Sequence, residues 1–220
     1  MSDTKEKILL TALRLFAQGG YEAVSTSMIA GELGMTKGAL YKHYKNKQDI
    51  LDSIMARMVE IDQERAKEHG IPLETYEDAP ATYQDVSVEE DLEFTKKYFR
   101  FWTQDEFGKN FRRMLTIEQY RNPQAKEMYG MIMGNGMFEY MNNMYRQWMK
   151  EGVVKEDDPQ LLALEFCGIF QFLINLSDTS PDINQLESLL NAYLERSMTA
   201  YATIMSDFNP LASPTKSSPW

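Results

Sequence analysis

Disulfide, metal and nucleophile chemistry all lack raw material in this chain. It holds one cysteine, Cys167, and two histidines, His43 and His69. A single thiol cannot close an intrachain disulfide, and two isolated imidazoles do not have the spacing of a zinc or metalloprotease motif. No glycine-rich phosphate cradle and no nucleophile elbow is present, so an enzyme's constellation cannot be assembled, and no metal or cofactor is expected. Cys167 lies within LLALEFCGIFQFLI, where a thiol behaves as a small core hydrophobe. No apolar run approaches the roughly 20 residues that a helix needs to cross a bilayer. The N-terminus reads as a polar amphipathic helix rather than a leader, which predicts a cytoplasmic protein with no membrane partner. Strand-like alternation flanked by hairpin turns is also missing, and what remains is helical periodicity almost throughout: the expected fold class is all-α.

A chain of 220 residues at 43% hydrophobic can bury a sizeable core. Its net charge of -10 is unevenly spread. Residues 1–50 carry seven Lys or Arg against five acids, or +2, which leaves -12 on the rest. A basic head on an acidic body would orient the molecule toward a polyanion and keep the body from sticking to it.

The head contains YEAVSTSMIAGELGMTKGALYKHYKNKQDIL, Tyr21 to Leu51. Ser25 is a natural N-cap for a helix from about Thr26 to Leu33, with Ile29, Ala30 and Leu33 facing inward. Gly34 suits the left-handed position past its end. Thr36 can cap a second helix starting at Lys37, in which Leu40 and Tyr44 face inward. Lys37, Gly38, Ala39, Tyr41 and Lys42 then point outward, a face small enough to enter a major groove about 12 Å wide. Thr36, Lys37, Ala39, Tyr41 and Lys42, with Gly38 permitting close approach, are the candidates for base edges. Ser25, Thr26, His43 and Lys47 are the candidates for phosphates, and Ser27 completes the predicted DNA face.

These residues resemble the tetracycline-repressor (TetR) family of bacterial regulators. The opening helix, Lys5 to Ser25, is similar to the family's first helix, with Ile8, Ala12, Leu15 and Phe16 as its core stripe and Gly20-Tyr21 as its terminator. Ile29-Ala30, Gly34, Gly38, Leu40-Tyr41, His43-Tyr44, Lys47 and Leu51 follow in the family's order. The resemblance covers roughly the first quarter of the chain. It implies a three-helix DNA-binding head with a helix-turn-helix over residues 1–46 and a helical ligand-binding and dimerisation body over 47–208, while the Pro- and Ser-rich ending NPLASPTKSSPW reads as a loose tail over 209–220.

In the body, helices are expected over Lys47 to Glu68, Val88 to Asp105, Gly108 to Arg121, Pro123 to Glu151, Pro159 to Ser177 and Pro181 to Phe208. The segment 70–87, with Pro72 and Pro80, reads as a solvated loop or lid. Glu89-Glu90-Asp91 reads as a charged helix N-terminus explained by the helix dipole. Apolar residues on nearly all sides of the helix after Pro159, including Phe172, Ile174 and Leu176, require a covering partner. The resemblance implies that this partner is a second copy, through the last two helices.

Methionines and aromatics concentrate in the middle of the body, and flexible thioethers with large rings can line an adaptable cavity. Met55, Met58, Tyr98, Trp102, Met114, Met137, Phe138, Met141 and Phe170 are the expected lining, with Glu118 and Asn135 as polar groups that could orient a ligand. The resulting reading is a ligand-responsive transcriptional repressor. It binds an inverted-repeat operator in double-stranded DNA as a homodimer and is released by a small apolar or aromatic effector. The competing readings are an all-helical carrier or enzyme using the Met-rich cavity, and a DNA-binding architectural protein without an effector.

Overall fold

The computed structural model describes residues 3–68, 88–180 and 182–201. His69, the 70–87 loop, Pro181, Ile204, Phe208 and the 209–220 tail lie outside the described residues. Ten helices occur among those described, and no strand. They are α1 (Asp3–Gly19), α2 (Thr26–Glu32), α3 (Lys37–Leu40), α4 (Lys47–Glu68), α5 (Val88–Thr103), α6 (Glu106–Glu118), α7 (Pro123–Met133), α8 (Asn135–Lys150), α9 (Pro159–Leu176) and α10 (Ile183–Tyr201).

Local chemistry sets most of these ends. Ser25 Oγ accepts from the Met28 amide at 3.2 Å and Thr36 Oγ1 from the Ala39 amide at 3.1 Å, so both predicted caps of the turn motif form. Asp105, Asn122 and Asp158 cap α6, α7 and α9 in the same way, with proline in the first turn of α7 and α9 where no amide donor is needed. Gly34, at φ +63°, closes α2 as a Schellman turn: the Met35 amide reaches the Ala30 carbonyl and the Gly34 amide the Gly31 carbonyl, each at 3.0 Å.

The single helix expected from Pro123 to Glu151 is two helices, broken at Gly134. Gly136 explains the tightness of the break, because a Cβ there would run into the Met131 carbonyl. Only glycine lets α8 start so close to the end of α7.

α1 seats on α6 of the body as well as on α2 and α4, and α8 lies along α9. A continuous apolar core therefore runs from Ile8, Ala12 and Phe16 in the head through Met55, Trp102, Phe111 and Met114 to Phe170 and Leu190. α9 corrects the run-length reading of the sequence, since by length and composition it is apolar enough to cross a bilayer. Phe166, Phe170, Leu173 and Ile174 are buried against the body, whereas Leu161, Leu164 and Phe172 are about 60% exposed, at 61%, 60% and 61%. Leu161 thus lies outward, and Ile174, expected on the excess face, lies inward.

Arg112 on α6 ties this body to the turn after α9. It is 2% exposed and makes a bidentate pair with Asp178 at 2.6 and 2.7 Å, joined by Arg113 at 2.8 Å. Partial burial pushes the Asp178 carboxyl up, but the two guanidiniums outweigh it and hold it below its ordinary range. Asp178→Asn leaves a buried guanidinium without its counter-charge and should cost roughly 3 kcal/mol in denaturant unfolding near neutral pH. The pair stabilises wherever the carboxylate is ionised in both states, and that contribution disappears as pH falls through the lowered native value. The gap between variant and parent should therefore close in acid.

Candidate nucleic-acid interface and ligand cleft

The recognition face is built from the inside outward. Leu40 and Tyr44 are buried, at 0% and 1% exposure, and anchor the one-turn α3 and the turns after it. The Tyr44 hydroxyl donates to the Lys5 carbonyl at 3.1 Å, and burial, aided by Glu6 and Asp49, pushes its ionisation up to about 12. With this side fixed, Thr36, Lys37, Gly38, Tyr41 and Lys42 are exposed, while Ala39 and His43 are half-buried. Lys37 Nζ lies 5.7 Å from the centre of the Tyr41 ring. Ser25 and Ser27 are exposed at the start of α2.

Two residues expected at phosphates are engaged elsewhere. Thr26 is buried, and its hydroxyl lies 3.2 Å from that of Tyr41, tying α2 to the recognition turn. Lys47 Nζ donates to the Tyr21 carbonyl at 2.8 Å and lies 4.0 Å from the centre of the Tyr21 ring. Each of these contacts ties one part of the motif to another.

Tyr21 is the joint between head and body. Its amide donates to Glu118 Oε1 at 2.8 Å, its carbonyl accepts from Lys47, its hydroxyl donates to Gln48 Oε1 at 3.0 Å, and its ring packs edge-on to Phe16. Glu118 is 2% exposed at the end of α6. This corrects its assignment as a ligand-orienting group: a carboxylate accepting a charge-assisted bond from a backbone amide is holding the head in place. Asn135 is exposed at the start of α8 and orients nothing inside the body.

The expected Met-rich lining is mostly packed core. Met55, Met58, Trp102, Met114 and Phe170 are each at most 2% exposed, and Tyr98, Met137 and Phe138 pack against that cluster. Of the predicted lining only Met141 borders the described cleft, a narrow space of about 40 Å³ between α5, α8, α9 and α10 that is partly open to solvent. Tyr145, Trp148, Phe166 and Tyr193 supply aromatic walls, and Asp91 and Ser197 are its polar groups apart from the phenol and indole tips.

Asp91 is the main surprise. Expected as one of three acids of a charged helix N-terminus, it is 6% exposed, and none of the described residues hydrogen-bonds to it or pairs with it. The signal was present in the pattern: Asp91, Thr95, Phe99 and Trp102 fall on one helical stripe, and all four are buried. Burial pushes its carboxyl from 3.8 up to about 7. Because the folded state keeps this proton to higher pH than the unfolded chain, stability is lost between about pH 4 and pH 7 as the native carboxyl is forced to ionise. Asp91→Asn removes that loss. Its melting temperature should exceed the parent's at about pH 8 and approach it near pH 4, measured by calorimetry in the absence of ligand.

Residues 8–54 match the family described as bacterial regulatory proteins, tetR family. The HTH-type transcriptional regulator AcrR of Shigella flexneri is 44% identical over 52 residues, which is 24% of each chain, so the match spans about a quarter of that relative's length. A transcriptional regulator from Saccharomonospora viridis, solved in complex with choline, superposes with a TM-score of 0.66 at 20% identity, over 92% of this chain and 100% of its own. The SmeT–triclosan complex gives 0.62 at 21% identity over 99% and 98%; SmeT is the repressor of the Stenotrophomonas maltophilia multidrug efflux pump SmeDEF. At such identities the two structures speak for the fold, a helix-turn-helix head on a helical body. With capped helices around a Schellman turn and an outward face anchored by Leu40 and Tyr44, residues 8–54 are similar in sequence and in local structure to the DNA-binding head of the tetR family of bacterial regulatory proteins.

Proposed function

We propose that this protein is a cytoplasmic homodimeric repressor that binds an inverted-repeat operator and is released when a small organic effector enters its body. The exposed face of α3 carries the reading. Lys37 projects from α3 and Tyr41 and Lys42 from the turn after it, a unit fixed by the buried Leu40 and Tyr44, and a rigidly held short helix suits entry into a major groove. Thr36, Lys37, Gly38, Ala39, Tyr41 and Lys42 face base edges, and Ser25, Ser27 and His43 face the backbone. Thr26 and Lys47 support them.

Dimerisation is supported by the stripe on α9. Leu161, Leu164, Gly168 and Phe172 recur at helical spacing and are exposed, with Leu189 of α10 half-exposed at 50%. A second copy packing on this face would bury them all, and Gly168 would let the helices approach closely. Release by an effector is supported by the cleft and by the two solved relatives that hold small organic molecules.

Sequences selected from random DNA by the purified protein test this. An inverted repeat with half-sites about one helical turn apart, near 34 Å, is expected. Lys37→Ala should relax the preference at one base pair in each half-site and weaken binding by about 1 to 3 kcal/mol there. An unchanged consensus removes Lys37 from the base-reading set. Phe172→Asp should sediment as a folded monomer and lose operator affinity, whereas a variant that stays dimeric moves the interface away from α9.

A further inference from the structure

The cleft between α5, α8, α9 and α10 contains an arrangement that an apolar effector does not explain. A carboxylate taken out of water is costly unless a cation or several donors compensate it. Asp91 is 6% exposed and lines the cleft, with no such partner among the described residues. The twelve lining residues include no lysine, arginine or histidine, and the only other ionisable groups are the phenols of Tyr145 and Tyr193. The same cleft is lined by electron-rich rings: Tyr145 and Trp148 meet edge-to-face at 5.6 Å between centroids, and Phe166 and Tyr193 join them in the lining. Met141 and Met198 supply polarizable, deformable side chains that can yield to a guest.

We propose that this cleft binds an organic cation, a protonated amine or quaternary ammonium bearing apolar or aromatic bulk, with Asp91 as its counter-ion and the Tyr145, Trp148 and Tyr193 rings against its charged head. Each alternative ligand class meets an obstacle. An anion would be repelled by the acid. A neutral apolar molecule would leave Asp91 buried beside it without a partner. A metal ion would need more than one carboxylate, and no cluster of three or more metal-binding side chains occurs among the described residues. An organic cation satisfies both halves of the site, since the acid neutralises its charge and the rings attract it through their quadrupoles. The inference deepens the effector reading, on which it rests only for the consequence at DNA.

Two ligands of nearly equal shape separate charge from bulk: benzyltrimethylammonium, and neopentylbenzene, in which carbon replaces the nitrogen. Titrating the full chain and following Trp148 fluorescence and heat, we expect saturable binding of the cation and binding of the neutral isostere weaker by about tenfold or more. Asp91→Asn, whose fold is checked by circular dichroism, should lose about the same factor for the cation and nothing for the isostere. Calorimetry in buffers of different ionisation enthalpy adds a readout that a packing role would not move. Since burial raises the Asp91 carboxyl to about 7, cation binding near pH 6 should release up to about one proton, none near pH 9, and none at either pH in Asp91→Asn. Equal affinity for the two ligands, no saturable cation binding, or an undiminished cation affinity in Asp91→Asn overturns the proposal. Operator binding is measured in parallel. A cation that binds through Asp91 but leaves DNA affinity unchanged upholds the site and removes the effector role, whereas release of DNA by other ligands with no cation binding does the reverse.

Discussion

The orientation of the head rests on a partly buried hydrogen bond between the Tyr21 amide and Glu118, 97 residues apart. α4 is the covalent bridge between the two parts, but a bridge alone leaves a hinge. Seating α1 on α6 removes that freedom, and the Glu118 carboxylate fixes its register at the point where α1 ends. Lys47, at the first turn of α4, holds the carbonyl of the same residue. Both routes into the body, packed and covalent, therefore converge on one residue, Tyr21. A shift of α6 or of the start of α4 must move that residue or break one of its bonds, and the recognition turn is anchored to the same small core.

How far the fold could be read from the chain follows from the range of the interactions. The turn motif was legible because its determinants are local: a hydroxyl three residues before the amide it caps, a glycine at the one position needing positive φ, apolar side chains four apart. The break at Gly134 was less so. Three glycines in seven residues, Gly130, Gly134 and Gly136, are a sequence signal, yet the surrounding methionines keep a helical period across the break and hide it. Thr26, Lys47 and Glu118 each have a partner inside the protein that the sequence does not show, for a common reason. A polar side chain near a functional surface is chemically apt for a ligand, and only tertiary structure shows that the protein itself already occupies it.

The cleft illustrates the same limit from the other side. Methionine and aromatic enrichment marked the right region of the chain but spread the site over residues that fill the core, such as Trp102 and Met114. Composition cannot tell a wall from a filling, because both call for large apolar side chains. The group that distinguishes the cleft is Asp91, hidden in an acidic run whose other members need no explanation beyond a helix dipole. Its place on the stripe with Thr95, Phe99 and Trp102 carried more information than its charge did.

The hydrogen bond between the Thr26 and Tyr41 hydroxyls has a consequence for molecular recognition. In any such pair one proton lies between the two oxygens and the other remains free. Thr26 is buried, so the free capacity is usefully spent only on Tyr41, which is 42% exposed. When Thr26 donates inward, Tyr41 can offer its proton to an acceptor outside; when Tyr41 donates to Thr26, its oxygen can receive a donor instead. Rotating two hydroxyls reverses the polarity of the tip without moving a heavy atom. A ring held in this way can either give or accept a hydrogen bond at its exposed tip.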